Sequence, residues 1–116
     1  MGLVTQIDNV HLYVRDMERS ARFYRGLLGI PLEGDDHWQE ADLSGVRFAL
    51  HEAPEGIEPA PGTVKVNFRV ADADGAAERL RAEGVDVEEQ MREEYGLSYR
   101  VTDPDGYRVY LFQPPS

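Results

Sequence analysis

The sequence predicts an α+β fold made of two paired β-α-β-β-β modules. Three observations predict it. The chain repeats itself, Val10-His11-Leu12-Tyr13-Val14-Arg15-Asp16 returning as Val66-Asn67-Phe68-Arg69-Val70-Ala71-Asp72 after a shift of 56 residues. In each copy an alternating run leads through an aspartate into an amphipathic pattern closed by a glycine, Gly29 or Gly84. Between the copies, Ala53 to Gly62 holds three prolines and two glycines, which is linker chemistry. A period near half the chain implies two similar supersecondary units, and such pairs commonly build a site between them. The expected organisation is one domain over residues 1–116, with module 1 at about 5–53, a linker at 54–62 and module 2 at about 63–113.

The elements follow in order. Ile7 to Val14 reads as a strand with Val10, Leu12 and Val14 on one face and Asn9, His11 and Tyr13 on the other, since side chains alternate with period two. Asp16 is a good N-cap for a helix to about Leu28, with Met17, Ala21, Tyr24, Leu27 and Leu28 on its apolar stripe. Pro31–Glu33, Trp38–Leu43 and Val46–Glu52 read as strands, with Ser44-Gly45 as a tight turn. In the second copy, Thr63 to Val70 is a strand, and Asp72 or Asp74 to Glu83 a helix with Ala73, Ala76, Ala77 and Leu80 inward. Val85–Gln90, Ser98–Thr102 and Arg108–Gln113 complete the strands, and Asp103-Pro104-Asp105-Gly106 is a strong turn signal. Gln90 to Leu97 is polar and irregular, and reads as a loop able to act as a lid or simply to lie on the surface.

Composition narrows the functions. Without cysteine there is no disulfide framework, thiolate metal site or thiol nucleophile. No run approaches the roughly 20 apolar residues of a membrane span, so a soluble cytoplasmic protein is expected. Twelve basic against 22 acidic residues give a net charge of −10, which disfavours nucleic acid and anionic membrane as partners. Ser20 and Ser98 lie in no nucleophile-elbow context, and no glycine loop reads as a phosphate cradle.

The run from Val14 through Asp16-Met17-Glu18-Arg19-Ser20-Ala21-Arg22-Phe23-Tyr24 to Leu28-Gly29 resembles the opening of the vicinal oxygen chelate superfamily. Asp103-Pro104-Asp105-Gly106-Tyr107-Arg108-Val109-Tyr110-Leu111 resembles its closing motif. That superfamily holds glyoxalase I, extradiol dioxygenases, fosfomycin-modifying enzymes and bleomycin resistance proteins. The resemblance implies that the two modules form a curled mixed sheet around an open cleft, helices outside, faced by Asn9, His11 and Tyr13, by Arg47, Ala49 and His51, by Lys65, Asn67 and Arg69, and by Arg108, Tyr110 and Phe112.

Enzymes of the family hold a divalent ion with His and Glu from these four strands. Carried onto this chain, the positions are Asn9, about Ala49, Lys65 and Tyr110, a set with no imidazole or carboxylate. The expectation is therefore no metal and no cofactor, which places the chain nearest the metal-free bleomycin-resistance-like branch. Two alternatives stay open: His11 and His51 with a carboxylate could form a displaced metal site, or could serve as acid–base groups for a lyase, isomerase or dioxygenase.

The residue types expected on the cleft also suggest its ligand. Arg47, Lys65, Arg69 and Arg108 favour an anionic or carbonyl-rich molecule, unless they pair with neighbouring carboxylates. Tyr13, Trp38, Tyr99, Tyr110 and Phe112 offer flat surface for a planar one. The leading expectation is a protein that binds an antibiotic-like or metabolite small molecule and is able to sequester it; the resemblance also implies a homodimer.

Overall fold

Period-two alternation puts an apolar row on one side of each long strand, and each row is covered by a helix. The computed structural model describes residues 2–62 and 64–115. They fall into two compact units, Met1–Pro59 and Ala60–Ser116, each a four-stranded mixed sheet with its own helix.

In the first unit the strands are β1 (Val10–Val14), β2 (Glu33–Gly34), β3 (Trp38–Leu43) and β4 (Val46–Glu52), in the order β1-β4-β3-β2. β1 runs parallel to β4, and β3 antiparallel to it. Leu12, Val14, Phe48, Leu50 and Ala41 are buried on the helix side. β1 is shorter than the alternation from Ile7 suggests, and Ile7 itself is exposed. β2 falls at Glu33–Gly34 rather than Pro31–Glu33, because Gly34 lies hard against the backbone of Trp38 and Gln39 where the two strands pair.

The first helix departs from expectation in its winding. α1 (Met17–Ala21) is capped by Asp16, whose carboxylate accepts from the Arg19 backbone N–H at 3.2 Å. The chain then continues as a π-helical segment over Arg22–Leu27, with Leu28 N–H donating to the Phe23 carbonyl at 3.0 Å. The wider turn places two adjacent aromatics, Phe23 and Tyr24, inside together, 4.9 Å apart edge to face. An α-helical stripe buries only one of them, and Leu27 and Leu28 are half-buried as a result.

The second unit repeats the plan with β5 (Val66–Arg69), α2 (Ala73–Ala82), β6 (Val87–Glu93), β7 (Gly96–Thr102) and β8 (Arg108–Gln113), ordered β5-β8-β7-β6. β5 is shorter than expected, and Thr63 lies outside the described residues. Asp72 caps α2 through the Gly75 N–H at 3.0 Å, and Ala73, Ala77 and Leu80 are buried beneath it. Buried Asp103 closes the turn before β8, its Oδ1 accepting from the N–H groups of Asp105 and Tyr107 at 2.8 and 2.9 Å.

The loop reading of Gln90–Leu97, as lid or as plain surface, is overturned. These residues are the end of β6, a tight turn and the start of β7, one continuous hairpin. A bulge at Gln90 lengthens β6: Glu89 pairs with Tyr99, but Met91 pairs with Ser98. The hairpin is tied to α2 by the Tyr99 hydroxyl and the Arg92 guanidinium, which reach Asp74 at 2.5 and 2.7 Å. These two donors, Tyr99 first, hold the Asp74 carboxyl below its usual range. Polar composition suggested a loop here, but β6 is an edge strand with no fully buried residue, and such a strand is polar for the same reason.

Candidate functional site

Each unit leaves one sheet face uncovered by helix, and alternation decides which side chains stand on it. On the first unit, the register aligns Tyr13, His51 and Trp38 in one row and His11, Ala49 and Glu40 in the next. His11 sits at the centre of the aromatic group. Its ring centroid is 5.6 Å from Tyr13, 5.0 Å from Trp38 and 5.5 Å from His51, all edge to face. His51 closes the cluster at 5.3 Å from Tyr13 and 5.5 Å from Trp38.

Polar contacts fix these rings in place. His11 donates from Nδ1 to the Asn9 amide oxygen at 2.8 Å, since that oxygen can only accept. In the neutral ring Nε2 is then the nitrogen with the lone pair. The Asn9 amide donates in turn to Asp8 at 2.9 Å. The Trp38 indole donates to Glu40 at 2.7 Å, and Arg47 meets the other Glu40 oxygen at 3.0 Å and Asp8 at 3.7 Å. Arg47 is thus neutralised by carboxylates rather than free for an anion. Burial, and second the nearby His51, hold the His11 imidazole below its ordinary 6.5. His51 Nδ1 is buried and finds no hydrogen-bond partner among the described residues. Beside the cluster, Trp38 also lines an open groove of about 660 Å³ whose other walls include Glu33, Asp35, Glu40 and Asp42.

The second unit carries the other half of the expected residues, and they make a different surface. Asn67 is level with Tyr110 and Arg69 with Phe112 across the β5–β8 pair, while Ser98 faces Phe112 and Arg100 faces Tyr110 across β7–β8. Lys65, Asn67, Tyr110 and Phe112 line an open cup of about 510 Å³, together with Ser98, Met91 and Gln90. The Lys65 ammonium lies over the Tyr110 ring, 4.4 Å from its centroid. Arg108 stands exposed on the same face and is not part of the cup wall.

The expected residues therefore gather in two groups. Asn9, His11, Tyr13, Trp38, Arg47 and His51 stand on the first sheet, and Lys65, Asn67, Arg108, Tyr110 and Phe112 on the second. Tyr99, offered as a stacking surface, instead faces the helix and is buried against Ala73 and Ala77. Two residues of these faces, Glu40 and Met91, were not among the expected set. Plain alternation puts Met91 on the same side as Glu89; the bulge turns it to the cup.

The family's usual metal positions do not fit a metal here. Ala49 is a fully buried methyl group, Lys65 carries a cation already seated on Tyr110, and Asn9 is engaged with Asp8 and His11. For the displaced alternative, no third His, Asp or Glu among the described residues completes a metal-holding group with His11 and His51.

Two successive β-α-β-β-β units, each with one face under a helix and one face open, define a duplicated α+β architecture that presents small-molecule-sized surfaces. The chain belongs to the glyoxalase/bleomycin resistance protein/dioxygenase superfamily, whose family model matches residues 6–111. Comparison with curated protein sequences finds no match. Among solved structures it is similar to TnmS3, an antibiotic binding protein from Streptomyces sp. CB03234, at 24% identity and a TM-score of 0.79 over 98% of this chain and 99% of that one. It is similar to a lactoylglutathione lyase from Agrobacterium tumefaciens at 19% identity and 0.75, covering 95% and 94%. Oxidase ChaP-H2 matches at 17% identity and 0.77, covering 97% and 96%. At these identities the likeness is one of fold, and a binder, a lyase and an oxidase share it. The choice among functions therefore rests on the side chains.

Proposed function

We propose that the protein binds a planar small molecule, an antibiotic-like compound or a metabolite, and holds it unaltered. The observation that carries this reading is the ring cluster of His11, Tyr13, Trp38 and His51, whose centroids lie 5.0–5.6 Å apart on an open sheet face. Flat amphipathic rings offer large contact area with few rotamers to freeze, so a conjugated ligand stacks on them at low entropic cost. The poor fit of Ala49 and Lys65 to a metal, and the antibiotic binding reported in the name of TnmS3, support the same reading.

Trp38 is the only tryptophan of the chain, so its emission reports on this face alone. Titration with a panel of planar polycyclic compounds should give saturable quenching by at least one of them, with that compound recovered unchanged by mass spectrometry. Tyr13→Ala should weaken the interaction about tenfold, the loss of one stacked ring at roughly 1.4 kcal/mol. Absence of saturable quenching across the panel would refute the reading. A second reading, proton-transfer catalysis, draws on one observation: His11 is kept neutral and holds Nε2 free to accept a proton. Conversion of the bound compound, abolished by His11→Asn, would establish it instead.

A further inference from the structure

We infer that the cup of the second unit is a carboxylate-binding subsite, with Lys65 as counter-charge and Tyr110 and Phe112 as its flat floor; this deepens the small-molecule reading above and rests on it. Lys65 is the only lysine in a chain of 22 acidic residues and net charge −10. On the sheets, Arg47 meets Glu40, Arg92 meets Asp74 and Arg100 meets Glu88. Lys65 does not, and neither Arg69 nor Arg108 on the same face forms an ion pair among the described residues.

The partner Lys65 does have is an aromatic ring. The Tyr110 face orients the ammonium without neutralising it, because the ring's quadrupole carries no net charge. The full positive charge is left for an incoming anion. A second polar group points the same way. Ser98 lines the cup, and its hydroxyl forms no hydrogen bond among the described residues. A hydroxyl with no protein partner on the cup wall is available to donate to an acceptor that enters from outside. With the Asn67 amide beside it, the cup offers an ammonium, a hydroxyl and an amide above two aromatic side chains. That is the donor set for a carboxylate attached to a planar conjugated system.

The test compares 2-naphthoate with its neutral relative 2-naphthalenemethanol by calorimetry on the full chain. Naphthoate should bind about tenfold more tightly than the alcohol, the size of one charge-assisted hydrogen bond. Lys65→Met should erase that preference, and Lys65→Arg should retain most of it. Raising salt from about 0.05 M to about 0.5 M should weaken naphthoate and not the alcohol, since screening acts on charge alone. Lys65 is exposed, so neither variant disturbs the core. Equal affinity of the two probes, or a preference that survives in Lys65→Met, overturns the subsite and leaves the small-molecule reading standing. Failure of both probes to bind overturns the subsite, and Trp38 emission unmoved across the whole planar panel overturns the small-molecule reading as well.

Discussion

Replacing Gly96 with alanine tests how the floor of the cup is held. Gly96 opens β7 at φ +149°, a conformation that side-chain-bearing residues rarely adopt. An added Cβ would drive into the Phe112 ring, reaching Cε1, lying 2.8 Å from Cζ and 3.2 Å from the Gln113 carbonyl oxygen. The backbone strain costs about 1–3 kcal/mol. The overlap costs about 1–3 kcal/mol in a packed core, and less here because Phe112 is half-buried and can swing outward. The sum is about 2–4 kcal/mol. For a chain of 116 residues, near 2.1 cal/mol/K per residue, that lowers the thermal midpoint by roughly 8–16 °C.

Calorimetric or circular-dichroism melting of four proteins separates the two causes: the parent, Gly96→Ala, Phe112→Leu and the double variant. With the ring removed, Gly96→Ala should retain only the backbone cost, giving a coupling of about 1–2 kcal/mol between the sites. A loss below about 0.5 kcal/mol in the single variant, or additive losses in the cycle, would refute the reasoning. Gly34 supplies the contrast. There the added Cβ meets backbone, the Trp38 carbonyl and the Gln39 Cα at 2.9 Å, and backbone cannot swing aside. Gly34→Ala should therefore destabilise more than Gly96→Ala.

Two further expectations concern single groups. His11 should titrate below 6.5 in the folded chain by imidazole NMR, and His51→Gln should raise its midpoint by removing the second cause of the depression. Because the unfolded chain takes up that proton first, His11's contribution to stability is present above pH 6.5 and is lost as the pH falls through 6.5 and then through the lower folded value; a midpoint at or above 6.5 would contradict the cluster. The ε-methylene signal of the only lysine should be shifted upfield by the ring current of Tyr110 and return to its free position in Tyr110→Leu. A Lys65 signal indifferent to that change would show that the ammonium does not rest on the ring.

Most of the fold was legible because apolar alternation and turn chemistry agree along the chain. Val46–Glu52 alternates Phe48 and Leu50 inward against Arg47, Ala49 and His51, and its limits as a strand match the structure. What stayed hidden involved shifts of one residue. Phe23 and Tyr24 are neighbours that cannot both lie on an α-helical stripe, and only packing against Phe48, 5.5 Å from Tyr24, makes the wider turn worthwhile. The extra residue at Gln90 reverses the facing of everything after it, so Met91 could not be assigned to the cup. At the site, residue types were legible but partners were not. Arg47 and Arg108 look alike in sequence, and only the register of β3 shows that Glu40 neutralises the first.

That difference has a structural logic. The registers make the two sheets superposable in pattern: Asn9 corresponds to Lys65, His11 to Asn67, Ala49 to Tyr110, His51 to Phe112, Trp38 to Ser98 and Glu40 to Arg100. On the helix side the corresponding residues stay apolar, Phe48 with Val109 and Leu50 with Leu111, because burial under a helix tolerates little else. On the open side no such constraint operates, and there the two copies have opposite charge. The first sheet spends its one arginine on Glu40 and Asp8 and presents rings; the second puts arginine where the first has Glu40, adds the chain's only lysine and leaves three cations unpaired among the described residues. In a chain of net charge −10, solubility does not call for that concentration of positive charge on one face. Nor does the fold, since none of Lys65, Arg69 and Arg108 is buried. An arrangement that neither stability nor solubility requires is best accounted for by a ligand that brings an acidic oxygen to the second face.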